Sequence, residues 1–186
     1  MLRLEPHPSQ RRPPGLELQV RLSRSPESLS VCFQLHDPRG LVRLPAPVSH
    51  PERREGLWRR TCFELFLARE GASGYRELNL SPAGHWNLFH FEGYRQPGRV
   101  SWSPAELPFR CRPTADGYTL ELVLPLRPLE LHHVGLELGV CAVLSAHDGE
   151  CGHWALCHPD PGKPDFHLRR GFALTLAAVP QDEAEL

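Results

Sequence analysis

Lysine and methionine are almost absent from this chain of 186 residues: Lys163 and Met1 are the single example of each. Without an internal methionine, haem held by a His/Met pair is nearly excluded. Bis-His ligation stays open, although no Cys-x-x-Cys-His attachment sequence occurs. A basic field is missing too. The formal net charge is −1 and the arginines are spread among acids, which argues against nucleic acid as a partner. No apolar run approaches the roughly 20 residues that a membrane helix needs, so no membrane role is expected. The opening MLRLEPHPSQRRPPG has no apolar h-region of a secretory signal, and a cytoplasmic location is the expectation. Gly-x-Gly-x-x-Gly, Walker and Gly-x-Ser-x-Gly sequences are lacking, which removes nucleotide-binding folds and the serine-hydrolase elbow. Six cysteines are present, and without an export signal they are expected as reduced, half-buried thiols.

Amphipathic helical periodicity is lacking as well, apart from a possible single turn over 127–134. What the chain does have is period-two alternation punctuated by turn residues. Leu16, Leu18, Val20 and Leu22 form one such run, and Leu29, Val31, Phe33 and Leu35 the next. Residues 61–67, 75–80 and 86–94 follow, then 108–113 and 118–124, 135–146 and 151–157, and a closing run through Phe172, Leu174 and Leu176. The turn Thr114-Ala115-Asp116-Gly117 pairs Phe109 with Leu122 and Cys111 with Leu120. Asp148-Gly149 is a type I′ signal. These runs predict an all-β fold: a two-sheet antiparallel β-sandwich, immunoglobulin- or jelly-roll-like, of about ten strands with little or no helix. Residues 1–15 read as a flexible segment, 16–177 as the sandwich, and 178–186 as an acidic tail. The proline-rich stretch 41–57 is long for a compact domain, which marks functional or mobile loops.

The densest chemistry lies between Trp58 and Arg95. If Ala83-Gly84 is a two-residue tip, Ser81 faces Trp86, Asn79 faces Leu88, Glu77 faces His90 and Tyr75 faces Glu92, since opposed residues share a face. One face then holds Leu78, Leu80, Phe89, Phe91 and the stem of Arg76, as a core would. The other holds Tyr75, Glu77, Asn79, Trp86 and His90, a ring beside directional polar groups, which suits a polar ligand. A three-residue loop would shift the register by one and undo this assignment. Glu64 joins the site only if its side of the strand faces the way Glu77 does. Trp58 and Trp86, near sheet ends, read either as core or as platform, and Trp102 as packing. The stiff loop 158–167 reads either as solubilising decoration or as a second set of ligand groups: His158, Lys163, Asp165 and His167. Glu64 and Glu77 together also have the composition of a glycosidase pair. Cys151, His153 and Cys157 share a strand side, with His147, His158 and His167 nearby, but match no zinc spacing, so no metal is expected.

The segments W58-x-x-T-C-F-E-L-F-L, Y75-R-E-L-N-L-S-P-A-G-H-W, F91-E-G-Y-R, H153-W-A-L-C-H-P and K163-P-D-F-H resemble bacterial DOMON-like proteins over nearly the whole chain. More distantly, the pattern is similar to family-nine carbohydrate-binding modules. The resemblance implies a ligand-binding β-sandwich in a superfamily whose members bind sugars or haem. Where the carbohydrate-binding relatives carry an aspartate shortly after the tryptophan, this chain has Thr61-Cys62, which weighs against calcium there. The expectation is a non-catalytic domain that binds a carbohydrate or similar small polar ligand through the residues named above, without a cofactor. The alternatives are a haem-binding domain, a module that meets a protein partner at a sheet edge, and a glycosidase-like enzyme.

Overall fold

Each alternating run becomes a strand. The computed structural model describes residues 1–99, 102 and 104–180. Its twelve strands are β1 (Leu2–Pro6), β2 (Glu17–Arg24), β3 (Ser28–His36), β4 (Cys62–Arg69), β5 (Tyr75–Leu80), β6 (Trp86–Gly93), β7 (Gln96–Pro97), β8 (Phe109–Thr114), β9 (Gly117–Pro125), β10 (Leu136–Ser145), β11 (Cys151–Ala155) and β12 (Leu174–Leu176). Among the described residues there is no α-helix, only 3-10 turns at Leu57–Arg59, Arg127–Leu129 and Arg169–Gly171.

Hydrogen bonding runs along one path, β7-β6-β5-β4-β10-β11-β1-β2-β3-β9-β8, with β12 added to β10. The path folds back on itself, giving two layers. Phe33 of the first layer meets Phe63 of the second at 5.1 Å between ring centroids, and Tyr118 stacks on Phe63 at 6.4 Å. Leu18, Val20, Val31, Leu120 and Leu122 fill the core from one side, and Leu65, Leu78, Leu80, Leu88 and Trp86 from the other. This is the expected sandwich.

β1 joins the two layers. Leu2, Arg3 and Leu4 pair with β2, and Glu5 and Pro6 pair with β11. The expectation of a flexible segment over residues 1–15 is therefore corrected: Leu4 and His7 are fully buried. The segment is short, but it closes the open edge of both layers, which the bare alternation of Leu2 and Leu4 does not advertise. Residues 181–186 of the acidic tail lie outside the described residues.

Two turns differ from expectation for one reason. Ser81 N–H bonds His85 O while Gly84 N–H bonds Ser81 O, so the tip is the three-residue Pro82-Ala83-Gly84. Ala146 and Glu150 repeat the pattern around His147-Asp148-Gly149, which replaces the type I′ turn. In both, the glycine closing the loop takes a left-handed φ, +98° and +92°, as three-residue hairpins with a bulge require. The β5–β6 register thus becomes Leu80↔Trp86, Asn79↔Asn87, Leu78↔Leu88, Glu77↔Phe89, Arg76↔His90 and Tyr75↔Phe91. Trp86 moves into the core and His90 leaves the face of Glu77. By contrast, the two-residue tip at Ala115-Asp116 gives the expected pairs Phe109↔Leu122 and Cys111↔Leu120.

Residues 41–57 do not stand away from the fold. Val48 N–H bonds Ala83 O, and Arg54 N–H bonds Trp86 O along the free edge of β6. The Arg53 guanidinium reaches Asn87 Oδ1 at 2.7 Å and Leu88 O at 3.0 Å. Loop 156–173 leaves β10's edge after β11 and returns to the same edge as β12, crossing the outer face of the second layer on the way.

Trp86 is a core side chain, 1% exposed. Trp86→Ala is expected to cost about 3–5 kcal/mol of stability, as large-to-small changes of buried aromatics do. Urea unfolding checks this, and a variant as stable as wild type would contradict the assignment.

Candidate functional site

β4 is buried along both faces from Cys62 to Ala68. Phe63, Leu65 and Leu67 point between the layers, so Cys62, Glu64, Phe66 and Ala68 must point outward. Glu64, Phe66 and Ala68 are buried there beneath loop 156–173. Phe66 packs against Phe172 at 5.6 Å and edge-on to His167 at 5.2 Å, making a second, smaller apolar cluster with Tyr75, Cys141 and Ala155.

Between this face and the loop lies a cavity of about 380 Å³. The sheet gives it Glu64 and Phe66 from β4, Glu77 from β5, Phe89 and Phe91 from β6, Val143 from β10 and His153 from β11. The loop adds Pro164, Asp165, Phe166 and His167, and Arg95 comes from the β6–β7 turn. Trp58 stands at the mouth, 41% exposed, its ring edge-on to Phe89 at 5.9 Å. Its 3-10 turn follows the stretch that Arg53 fastens to β6, which is what holds the indole over the opening.

The polar groups form one connected set. Arg95 N–H donates to Tyr75 Oη at 3.1 Å, and the same hydroxyl shares a hydrogen bond with His167 Nδ1 at 2.8 Å. The other ring nitrogen, Nε2, lies 3.6 Å from Glu77 Oε2. Burial, helped by the nearby Arg95 charge, pulls His167 down to about 4, so the ring is neutral at neutral pH. Asp165 accepts from Tyr94 Oη at 2.6 Å, Arg95 Nη2 at 2.9 Å and His167 N at 3.1 Å. Burial pushes the Asp165 carboxyl up, but these hydrogen bonds outweigh it and hold it below the ordinary range. Arg95 itself has φ +52°, a left-handed conformation costly for a side-chain-bearing residue, and these contacts hold it there.

Glu64 and Glu77 behave differently. Burial, and then repulsion from Glu77, raises the Glu64 carboxyl well above its usual value. Burial also raises Glu77, against the Asn79 hydrogen bond and the Arg95 charge. Asn79 Nδ2 donates to Glu77 Oε1 at 2.8 Å. Glu64 Oε1 and Asn79 Oδ1, on cross-strand partners, are both buried acceptors without a hydrogen-bond partner.

Of the residues expected to contact a ligand, Trp58, Glu64, Glu77, Asp165 and His167 line the cavity. Tyr75 and Asn79 sit behind it, holding His167 and Glu77. Four do not converge on it. Trp86 is core. His90 lies on the opposite face, donating from Nδ1 to Arg99 O at 2.7 Å. His158 donates from Nε2 to Glu5 O at 2.8 Å and packs edge-on against His7. Lys163 is exposed on the loop, outside the cavity. The contributions of Phe66, Phe89, Phe91, Arg95, His153 and Phe166 were not foreseen. Phe66 shares the strand side of Glu64, and the correct register alone brings Phe89 and Phe91 to the side of Glu77. All six cysteines are free thiols, and among the described residues no group of three or more His, Cys, Asp or Glu side chains could hold a metal ion.

No family profile and no curated protein matches the chain by sequence. Solved structures do match in fold. One is a protein of Bacteroides uniformis ATCC 8492 proposed to bind carbohydrate, with a TM-score of 0.59 at 14% identity over 84% of this chain and 76% of that one. Another is a family-nine carbohydrate-binding module of Caldicellulosiruptor kristjanssonii in complex with cellotriose, with a TM-score of 0.52 at 10% identity over 78% of this chain and 67% of that one. The β-sandwich is therefore of the kind these modules use, at a distance that carries the fold alone.

The raised Glu64 carboxyl has a measurable consequence. Above about pH 4.3 an unfolded glutamate releases its proton while the folded chain keeps that of Glu64, so wild-type stability falls as pH rises through this window. Glu64→Gln removes the term. The variant is expected to gain on wild type in urea unfolding between pH 5 and pH 8, by up to about 1.4 kcal/mol per pH unit. A difference that stays constant with pH would show that Glu64 titrates normally.

Proposed function

We propose that this cavity binds a carbohydrate or a similar small polar ligand without turning it over. The observation that carries the reading is Trp58, a large indole left exposed at the mouth of a cavity whose floor holds buried, unpartnered hydrogen-bonding oxygens. A sugar ring needs both features: a flat apolar wall for its C–H face and fixed polar groups for its hydroxyls. Trp58 and Phe89 are the wall. Glu64, Glu77, Asp165 and His167 are the hydroxyl partners, while Tyr75 and Asn79 position them. Preorganisation favours this use, because the polar groups are already held by one another and little side-chain freedom is lost on binding. The fold neighbour proposed to bind carbohydrate, and the one that holds cellotriose, support the reading at the level of the architecture.

Haem suits the cavity less well. Both ring nitrogens of His167 are engaged, by Tyr75 and toward Glu77, and His153 shares Nδ1 with the Gln10 amide at 3.2 Å. His167 would have to give up one of its contacts to serve as an axial ligand.

The test is calorimetric titration with a panel of mono- and disaccharides, on wild type and on Trp58→Ala. Because Trp58 is exposed, the variant is expected to keep its melting temperature while losing about tenfold or more in affinity for any sugar that wild type binds. Equal affinity of the two proteins would remove Trp58 from the site, and silence of wild type toward every sugar would remove the carbohydrate reading.

A further inference from the structure

The cavity is rich in acceptors and rings and poor in donors. Glu64, 3% exposed, lines it, and Glu64 Oε1 has no hydrogen-bond partner. Behind it Asn79 Oδ1 is likewise unpartnered, and Glu77 Oε2 is approached only loosely, by His167 Nε2 at 3.6 Å. The cation of the cavity, Arg95, directs its hydrogen bond to Asp165 at 2.9 Å, and its charge, though felt at Glu77, does not overcome the burial that raises both glutamates. Around them stand five aromatic rings: Trp58, Phe66, Phe89, Phe91 and Phe166.

Two buried carboxyl groups close enough to repel one another are costly to ionise together. A neutral hydroxyl does not relieve that cost, since it brings one donor and no charge. An ammonium group brings three donors and no acceptor, which matches a floor of acceptors. Its positive charge favours the ionised form of both carboxyls, and ring faces attract it at the walls. We propose that the ligand of this cavity carries a protonated amine, as an amino sugar or an alkylammonium compound does, seated over Glu64 and Glu77 within the aromatic walls. The inference rests on the proposed role of the cavity as the ligand site, and it specifies which chemical group the floor selects.

The test is calorimetry of the full chain at pH 7 with four probes: glucosamine, glucose, N-acetylglucosamine and the primary alkylammonium compound ethanolamine. Glucosamine is expected to bind about tenfold or more tightly than glucose, its hydroxyl counterpart, and than N-acetylglucosamine, which has lost the charge. Glu77→Gln is expected to narrow that preference. The wild-type series decides the matter even if this variant does not fold. Equal affinity for glucosamine and glucose would overturn the ammonium inference and leave the sugar site standing. Binding of ethanolamine with every sugar silent would uphold the ammonium inference and overturn the carbohydrate reading. Failure of all four probes to bind would overturn both.

Discussion

Three residues at one turn decide which side chains line the cavity. In a strand the side-chain period is two, so one residue more or fewer in a hairpin loop exchanges the two faces of the strand beyond it. Pro82-Ala83-Gly84 is a loop of three, with Gly84 in the left-handed conformation that lets it close. Counted from this loop, Trp86 and Leu88 enter the core between the layers, and Phe89 and Phe91 come up beside Glu77 and Tyr75. The cavity is thus walled by phenylalanines of β6 and not by its tryptophan. The fastening of Arg53 to Asn87 and Leu88 then depends on the same register, and with it the placement of Trp58 over Phe89.

Where turn length can be read from the sequence, the structure around it can be read too. Thr114-Ala115-Asp116-Gly117 flanks a two-residue tip, and the pairs around it fall where alternation puts them. Pro82-Ala83-Gly84 and His147-Asp148-Gly149 each end in glycine, a pattern shared by two- and three-residue loops, and local sequence does not separate them. The buried outer face of β4 did leave a trace. The run Cys62-Phe63-Glu64-Leu65-Phe66-Leu67-Ala68 is apolar on both parities except for one glutamate, as in strands covered on both sides. The cover comes from residues about a hundred positions later, in a proline-rich loop without periodicity, so its docking over Phe66 had no local signal. The same holds for β1, whose five residues gain their stability from two partner strands and not from any pattern of their own.

Burial sorts the ionisable groups of the cavity into two sets. Asp165 has three donors, among them the charged Arg95, and burial is overcome: it stays ionised. Glu64 has no comparable donor and stands near Glu77, so burial prevails and the proton is held. His167 is kept neutral between these groups chiefly by burial, its ring held by the Tyr75 hydroxyl that the Arg95 main chain also meets. One loop–turn contact, Arg95 with Asp165, therefore ties the covering loop down and takes the guanidinium's hydrogen bond, leaving only its charge to act on Glu77.

The likeness to carbohydrate-binding modules lies in the strand framework, and the chemistry lies elsewhere. At 10–14% identity, a shared sandwich fixes the position of sheets and leaves the side chains on them free to differ. Here the polar groups come from three pieces that the framework does not dictate: the outer face of β4 and β5, the left-handed turn at Arg95, and the loop that departs from and returns to one edge of β10. That loop is anchored at both ends by strands of the same sheet, so its docking costs less entropy than closure of a free loop of the same length. A cavity assembled under such a loop can be shaped for its ligand without disturbing the core between the layers, because Glu64 and Leu65 face opposite sides of one strand. The cavity is therefore lined by the outer face of the sheet, and the inner face forms the core between the layers.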